Sequence, residues 1–313
     1  MSDALATLER ELIAAGLNVL RDEPMSRHTT YQIGGPADLF VEIDRREQMI
    51  WAFGRARALG VVPFVLGGGA EILVADAGIR GVVLHYQAGQ HRFEPQNGET
   101  RVWAEAGASF QELARESVRR GLQGLEWAVD IPGTLGGAVV GNAGAFGGYI
   151  CDCLVGVTLL EPDGRVYEES HAGIGFCYRG SRFKQMPRAQ RPVILDATLV
   201  LRPGDRQSLI ETAAQYTQRR WEHNPREPSC GSVFKRTDRY PAGFLIEQCG
   251  LKGERRGNAM ISPLHANFIV NLGGALAGDV KALIELAQQK VWEQFGEALE
   301  PEIELVGEWE KLT

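Results

Sequence analysis

Three polar clusters in this chain combine residue types that can do chemistry. The first, Tyr178-Arg-Gly-Ser-Arg-Phe-Lys184, carries three cations in seven residues. Arginine grips carboxylate or phosphate through two parallel N–H bonds, so the stretch is either an anion site or a solvated charged loop. The second, Pro228-Ser-Cys-Gly-Ser-Val-Phe-Lys235, sets Ser232 between Gly231 and an apolar pair, where its hydroxyl can face a ligand. No G-x-S-x-G elbow or Ser-His-Asp arrangement accompanies it. Ser232 therefore reads as a proton-delivering hydroxyl rather than a hydrolase nucleophile. In the third, Glu300-Pro-Glu-Ile-Glu304, period two puts Glu300, Glu302 and Glu304 on one strand face. A repeated acid is ordinarily solvated, but a buried member would have a raised pKa and could serve catalysis. Spacing does not choose among the three.

A glycine run must lie near such groups if they act on a cofactor. Seven glycines fall within eighteen residues from Ile131 to Gly148. Glycine loses more backbone entropy on folding than any other residue, so a dense cluster needs a reason. Either the chain visits positive φ, or something approaches the bare backbone. Exposed N–H groups in such a loop make a concave anion site, and small residues let a flat aromatic cofactor lie close. The alternative is a set of tight turns in an all-β region.

Composition narrows the classes. The 313 residues suffice for two or three lobes. Hydrophobic content of 44% and charged content of 23% are those of a soluble globular protein. A net charge of −7 argues against general nucleic-acid binding. The five cysteines contain no C-x-x-C and no zinc-like spacing with histidine, so no metal is expected. Cys151 and Cys153 are expected on one face of a strand, as small core residues. The N-terminus does not read as a signal peptide and no apolar run reaches the length of a membrane span. A cytoplasmic protein with reduced thiols and no membrane insertion is expected.

Element signals then place the clusters. Leu5, Leu8, Leu12 and Ile13 predict a first helix ended by Gly16. Strands are predicted over 38–43, 61–66, 81–84, 102–106, 153–160, 166–169, 192–201 and 302–306. Helices are predicted over 46–59, from a capping box of Ser109 and Glu112 to about 120, from a capping box of Ser208 and Glu211 to about 221, and from a cap at Asp279 to Gly296. Helices and short strands alternate without a regular βαβ rhythm, which predicts an α+β fold with a break near 204. A Rossmann fold is disfavoured, since no G-x-G-x-x-G links a strand to a helix.

Taken together, the motifs resemble those of the UDP-N-acetylenolpyruvoylglucosamine reductase (MurB) family. The matching blocks run in the family's order from about 25 to 307. They are His28-Thr-Thr-Tyr-Gln-Ile-Gly-Gly-Pro-Ala-Asp38, Leu66-Gly-Gly-Gly69 with Asp76-Ala-Gly78, and Gly124-Leu-Glu126. Ile131-Pro-Gly-Thr-Leu-Gly-Gly137, Asn142-Ala-Gly-Ala145, Tyr178-Arg-Gly-Ser181 and Gly231-Ser-Val-Phe-Lys235 follow. Ala242-Gly-Phe-Leu-Ile-Glu247, His265-Ala-Asn267 and Glu300-Pro-Glu302 complete the set.

The resemblance implies a two-lobed FAD-binding region of the vanillyl-alcohol-oxidase (PCMH) type plus a C-terminal α+β substrate-binding domain. The boundaries expected are 1–24 for an N-terminal helix, 25–95 and 96–204 for the two FAD-binding lobes, and 205–313 for the substrate domain. The short segment between Lys184 and Pro192 points to the shorter, type II branch. The activity implied is NADPH-dependent, FAD-mediated reduction of UDP-N-acetylglucosamine enolpyruvate to UDP-N-acetylmuramate in peptidoglycan precursor synthesis, with non-covalent FAD. The resemblance casts Arg179 as binding the substrate carboxylate, Glu302 as stabilising the enol form while protonated, and Ser232 as giving a proton to C2. It assigns FAD to Tyr31, Ile33, Gly34, Gly67, Gly68, Gly69, Pro132, Gly133, Thr134, Gly136, Gly137, Asn142, Ala143 and Gly144. It assigns substrate to Tyr178, Arg182, Lys184, Gly231, Lys235 and His265; for Arg182, Lys184 and Lys235 a surface-cation reading stands equally. A small-molecule partner and a monomer are expected.

Two departures stand out. Ala70-Glu71 occupies the place of a usual Ser-Asn, so either Glu71 turns away from the flavin phosphates or FAD binds more weakly. Arg236-Thr237 replaces a frequent Asn-Pro. Two other readings remain open at this point: an oxidase on the same scaffold, and a nucleotide-binding protein that has lost its flavin.

Overall fold

The computed structural model describes residues 2–309; Met1 and residues 310–313, the outer ends of the first and last expected segments, lie outside them. The chain divides into two compact units. The first joins residues 1–21, 39–68 and 81–218, and the second joins 22–38, 69–80 and 219–313.

In the first unit, Ser2 caps the helix Asp3–Ala14 by accepting from Leu5 N–H, and Leu5, Leu8 and Leu12 are buried on its inner face. Glu9 is buried beside them because Arg21 grips both its oxygens. This guanidinium holds the Glu9 carboxyl below the usual carboxylate range. The strands Val19–Pro24, Pro36–Ile43, Ile79–Tyr86 and Phe64–Leu66 pair in that order, the last two in parallel. A larger antiparallel sheet follows the order Val166–Ser170, Leu154–Leu160, Val193–Pro203, Glu99–Glu105, His91–Gln96. The alternating burial of Glu99–Glu105 seats Val102 and Ala104 in the core. The helix Phe110–Arg119, capped by Ser109 as predicted, packs Phe110, Leu113, Ala114 and Val118 into the same core.

In the second unit, Ile72–Val74 and Glu304–Val306 pair in parallel. Arg255–Arg256, Ala259–Ile261 and Ile269–Asn271 form a small antiparallel sheet. The helices Ala242–Gln248 and Ala277–Phe295 bury Leu245, Ile246, Val280, Leu283, Ile284 and Val291 in a second core.

Several expected elements differ. The glycine run is not all loop: Thr134 caps a helix over Leu135–Gly141, accepting from Gly137 N–H, and Asn142 ends it in the left-handed conformation. Cys151 and Cys153 do not share a strand face, because Ile150–Asp152 is a 3₁₀ turn and the strand starts at Leu154. Cys153 is buried, and burial pushes its thiol up to about 12. The helix Arg206–His223 starts two residues before Ser208, and Asp205 caps it by accepting from Ser208 N–H. Asp279 lies in the third helical position of Ala277–Phe295, where its carboxylate accepts from Leu276 N–H. The strand over 302–306 begins only at Glu304, so Glu300, Glu302 and Glu304 do not lie along one strand. The strand His91–Gln96, which is largely exposed and polar, escaped the alternation test.

Candidate active site

Each unit holds one set of candidate residues. In the first, the loop after Phe64–Leu66 meets the loop before Leu135–Gly141. A Cβ on Gly67 would lie 2.5 Å from Thr134 Oγ1, and one on Gly68 would lie 2.5 Å from Gly133 Cα. Gly133 has φ +113°. Gly136 lies against Ala106, donating to its carbonyl at 2.8 Å, and a Cβ there would come within 2.9 Å of Ala106 Cβ. Close approach and positive φ both explain the glycines. Two bare backbones meet, a surface that suits a phosphate-bearing cofactor. Asn142 adds a second sign: its Oδ1 is buried and meets no donor among the described residues. A buried acceptor of this kind is costly unless a ligand or water satisfies it. The residues therefore fit a nucleotide cofactor.

The same glycine segment positions Arg179. Cys177 and Gly180 close a turn through mutual N–H···O bonds of 3.0 and 3.2 Å. Asn142 Nδ2 donates to Cys177 O at 2.9 Å, Ser181 Oγ donates to Val140 O at 2.8 Å, and Arg179 Nη1 donates to Gly144 O at 2.6 Å. Arg179 itself has φ +54°. A left-handed arginine at a turn position that favours glycine is strained, and such strain gathers at functional sites. Sequence carried no signal for it. Tyr178 is exposed, its ring 5.7 Å from the Arg179 guanidinium. Ala143 links Ala138 to Ile150 through its main chain. Arg182, at the start of the short helix Arg182–Gln185, is drawn to Glu169 of the strand Val166–Ser170 at 3.0 Å, a partner that competes with any anionic ligand. Lys184 O accepts from Arg191.

In the second unit, the main chain next to Ser232 is joined to the segment that carries Glu302. Glu302 N–H donates to Val233 O at 2.7 Å, and Lys235 N–H donates to Glu300 O at 2.9 Å. Lys235 Nζ also meets Glu300 Oε1 at 2.6 Å. Gly231 has φ +78° and open space where a Cβ would stand. Ser232 and Glu302 are half-buried. Tyr31, expected at the cofactor, has a fully buried ring whose hydroxyl donates to Ile269 O at 2.8 Å, so its side chain serves the core. Ile33 is buried with it, Gly34 packs on Val74, and Gly69 packs on His28 and accepts from Thr30 N–H. Glu71 O accepts from Glu304 N–H at 2.9 Å. Burial pushes the Cys230 thiol well up. His265 Nδ1 accepts from Asn267 N–H at 3.2 Å, its ring packs on Phe268, and burial lowers its pKa. Asn267, part of a recognised motif but assigned no role from sequence, proves central to this segment.

Bare backbone that fits a nucleotide cofactor, in an α+β unit free of any Rossmann motif, defines an FAD-binding protein: the sequence pattern of an FAD binding domain matches residues 37–170. The pattern of the UDP-N-acetylenolpyruvoylglucosamine reductase C-terminal domain matches residues 223–306. A protein of that name from Rubrobacter xylanophilus is 43% identical over 302 residues, covering 96% of this chain and 98% of its own. One from a Synechococcus strain is 40% identical, covering 92% and 91%. The crystal structure of the reductase from Thermus caldophilus superposes with a TM-score of 0.77 at 33% identity, covering 92% of this chain and 99% of its own. The chain belongs to the UDP-N-acetylenolpyruvoylglucosamine reductase family.

Proposed function

We infer that this chain is an NADPH-dependent flavoenzyme that reduces UDP-N-acetylglucosamine enolpyruvate to UDP-N-acetylmuramate for peptidoglycan synthesis. Near-complete coverage by reductases of that name carries the reading. FAD, when bound, would supply the two-electron store between NADPH and the enolpyruvyl carbon. Gly67, Gly68, Gly133 and Thr134 would hold its phosphates by main-chain N–H groups, and Asn142 Oδ1 would accept from it.

The remaining chemistry belongs to side chains. Hydride arrival at C3 leaves negative charge at C2 that spreads into the carboxylate, and preorganised donors stabilise such charge most effectively. Arg179 binds that carboxylate from a turn whose strained backbone leaves the guanidinium few alternatives. Glu302, protonated, hydrogen-bonds the enol form. Ser232 delivers the proton to C2 as general acid. Lys235 and His265 line the substrate side, Lys235 with its charge partly met by Glu300. The segment from 205 onward binds the nucleotide sugar. The enzyme works as a cytoplasmic monomer; among the described residues no helix is long and apolar enough to cross a membrane.

An anaerobic stopped-flow experiment tests the reading. The yellow protein is reduced with NADPH and then mixed with the enolpyruvyl nucleotide. Prompt return of oxidised-flavin absorbance with formation of the lactyl product is expected. Flavin that stays reduced until oxygen enters would indicate an oxidase instead. A colourless protein that takes up no flavin would remove the redox assignment.

A further inference from the structure

The segment Ser232–Lys235 lies in no regular strand, yet its buried main chain is engaged on both edges. On one edge Glu302 N–H donates to Val233 O and Lys235 N–H donates to Glu300 O. On the other, Val233 N–H donates to Asn267 O at 2.8 Å. The Asn267 side chain completes that edge: Oδ1 accepts from Phe234 N–H at 3.0 Å, and Nδ2 donates to Phe234 O at 2.9 Å. All four polar main-chain groups of Val233 and Phe234 are thus satisfied, two of them by one carboxamide. A carboxamide can do this because it carries a donor and an acceptor side by side in one plane. Asn267 is 7% exposed, and Val233 and Phe234 are 0% and 2% exposed, so water does not substitute. The main-chain N–H of Asn267 is itself held by His265 Nδ1.

We propose that Asn267 is a positioning residue for the reduction: its carboxamide stands in for a strand residue and fixes the spacing between Ser232 and Glu302. The proposal rests on the proton-donor and enol-stabilising roles given to those two residues. Without the carboxamide, Phe234 has no partner on that edge and the Ser232 turn is free to drift. A displacement of about 1 Å at a reacting group costs on the order of 100-fold in rate.

The test uses full-length, FAD-loaded protein in the anaerobic stopped-flow assay. In Asn267→Ala, flavin reduction by NADPH is expected to stay within about twofold of the parent. Reoxidation by the enolpyruvyl nucleotide is expected to slow by about 30- to 100-fold. Its solvent deuterium isotope effect should rise, because a misplaced hydroxyl makes proton delivery limiting; a purely structural loss would leave that isotope effect alone. Asn267→Asp nearly keeps the shape and loses the donor, and its reoxidation should recover toward low pH as the carboxyl regains a proton. It also carries the test if Asn267→Ala does not fold. Ser232→Ala and Glu302→Gln run in parallel. If both reoxidise like the parent, their assigned roles fail and the proposal fails with them. If they are slow while folded Asn267 variants match the parent in rate and isotope effect, the positioning role alone is overturned.

Discussion

The two units solve different recognition problems with different parts of the polypeptide. In the first, the candidate cofactor surface is backbone: Gly67, Gly68, Gly133 and Gly136 are defined by what they lack, and a Cβ at any of the first two or the last would strike a neighbour. In the second, the candidate chemistry is carried by side chains, Ser232, Glu302 and Lys235, borne on main chain that Asn267 and residues 300–302 clamp. A backbone site tolerates loss of side chains and is damaged by adding atoms. A side-chain site is damaged by removing them. Arg179 bridges the two logics, a candidate functional side chain whose placement depends on carbonyls and amides of the glycine segment.

The largest effect that would sharpen this contrast is expected from truncating side chains. Ser232→Ala should lower the rate of flavin reoxidation by about 10²–10⁴-fold, the usual worth of a general acid, while the flavin spectrum and NADPH reduction stay unchanged. Loss of flavin in that variant would break the division of labour. Next comes an added atom: Gly68→Ala puts a methyl against Gly133 Cα and should destabilise by about 1–3 kcal/mol. Its FAD affinity, measured by titration of apoprotein, should drop while any bound flavin still turns over. Unchanged FAD affinity would show that the close contact between the glycine loops is not part of the cofactor site.

A smaller effect separates the two roles of Arg179. Arg179→Gly and Arg179→Ala should be equally inactive, but the glycine variant should be more stable in urea by about 1 kcal/mol, since only glycine occupies φ +54° without cost. Equal stability would mean that the turn relaxes once the guanidinium is gone. The smallest effect is on pH dependence. The folded pKa of His265 lies below its reference value of 6.5 because of burial. Above that reference His265 is neutral in both states and contributes nothing to the pH slope. As pH falls through 6.5 the unfolded chain gains a proton that the folded chain refuses, so stability declines until the folded pKa is reached. His265→Gln should therefore flatten the fall in Tm between pH 7.5 and 5.5. An unaltered slope would exclude His265 as the cause.

Much of this was legible from sequence where the signal is local. The periodicity of Leu5, Leu8 and Leu12 and the Ser109 cap specify their helices because each depends on residues within one or two turns. Ten short motifs in order identified the family, and the pattern matches and relatives agree. Cap assignments failed where two capping residues compete: Asp205 takes the helix start from Ser208 because an ionised carboxylate is the stronger acceptor there. The helix Leu135–Gly141 was hidden because its glycines have low helix propensity, and packing on Ala106 overrides that. Tyr31 matched a cofactor motif, but its motif position did not reveal that its ring is consumed by the core.

Sequence by itself determined the family and the cofactor class, and it named the candidates for bearing charge or protons, because residue type and order survive without coordinates. Tertiary structure alone decided which polar atoms are already spent. It committed Arg182 to Glu169 and the Tyr31 hydroxyl to Ile269, left Asn142 Oδ1 without a donor among the described residues, bent Arg179 into left-handed backbone, and drew Asn267 across thirty-three positions to hold Phe234. Those assignments depend on hydrogen bonds between residues far apart in the chain, and a buried donor or acceptor finds its partner only when the fold closes.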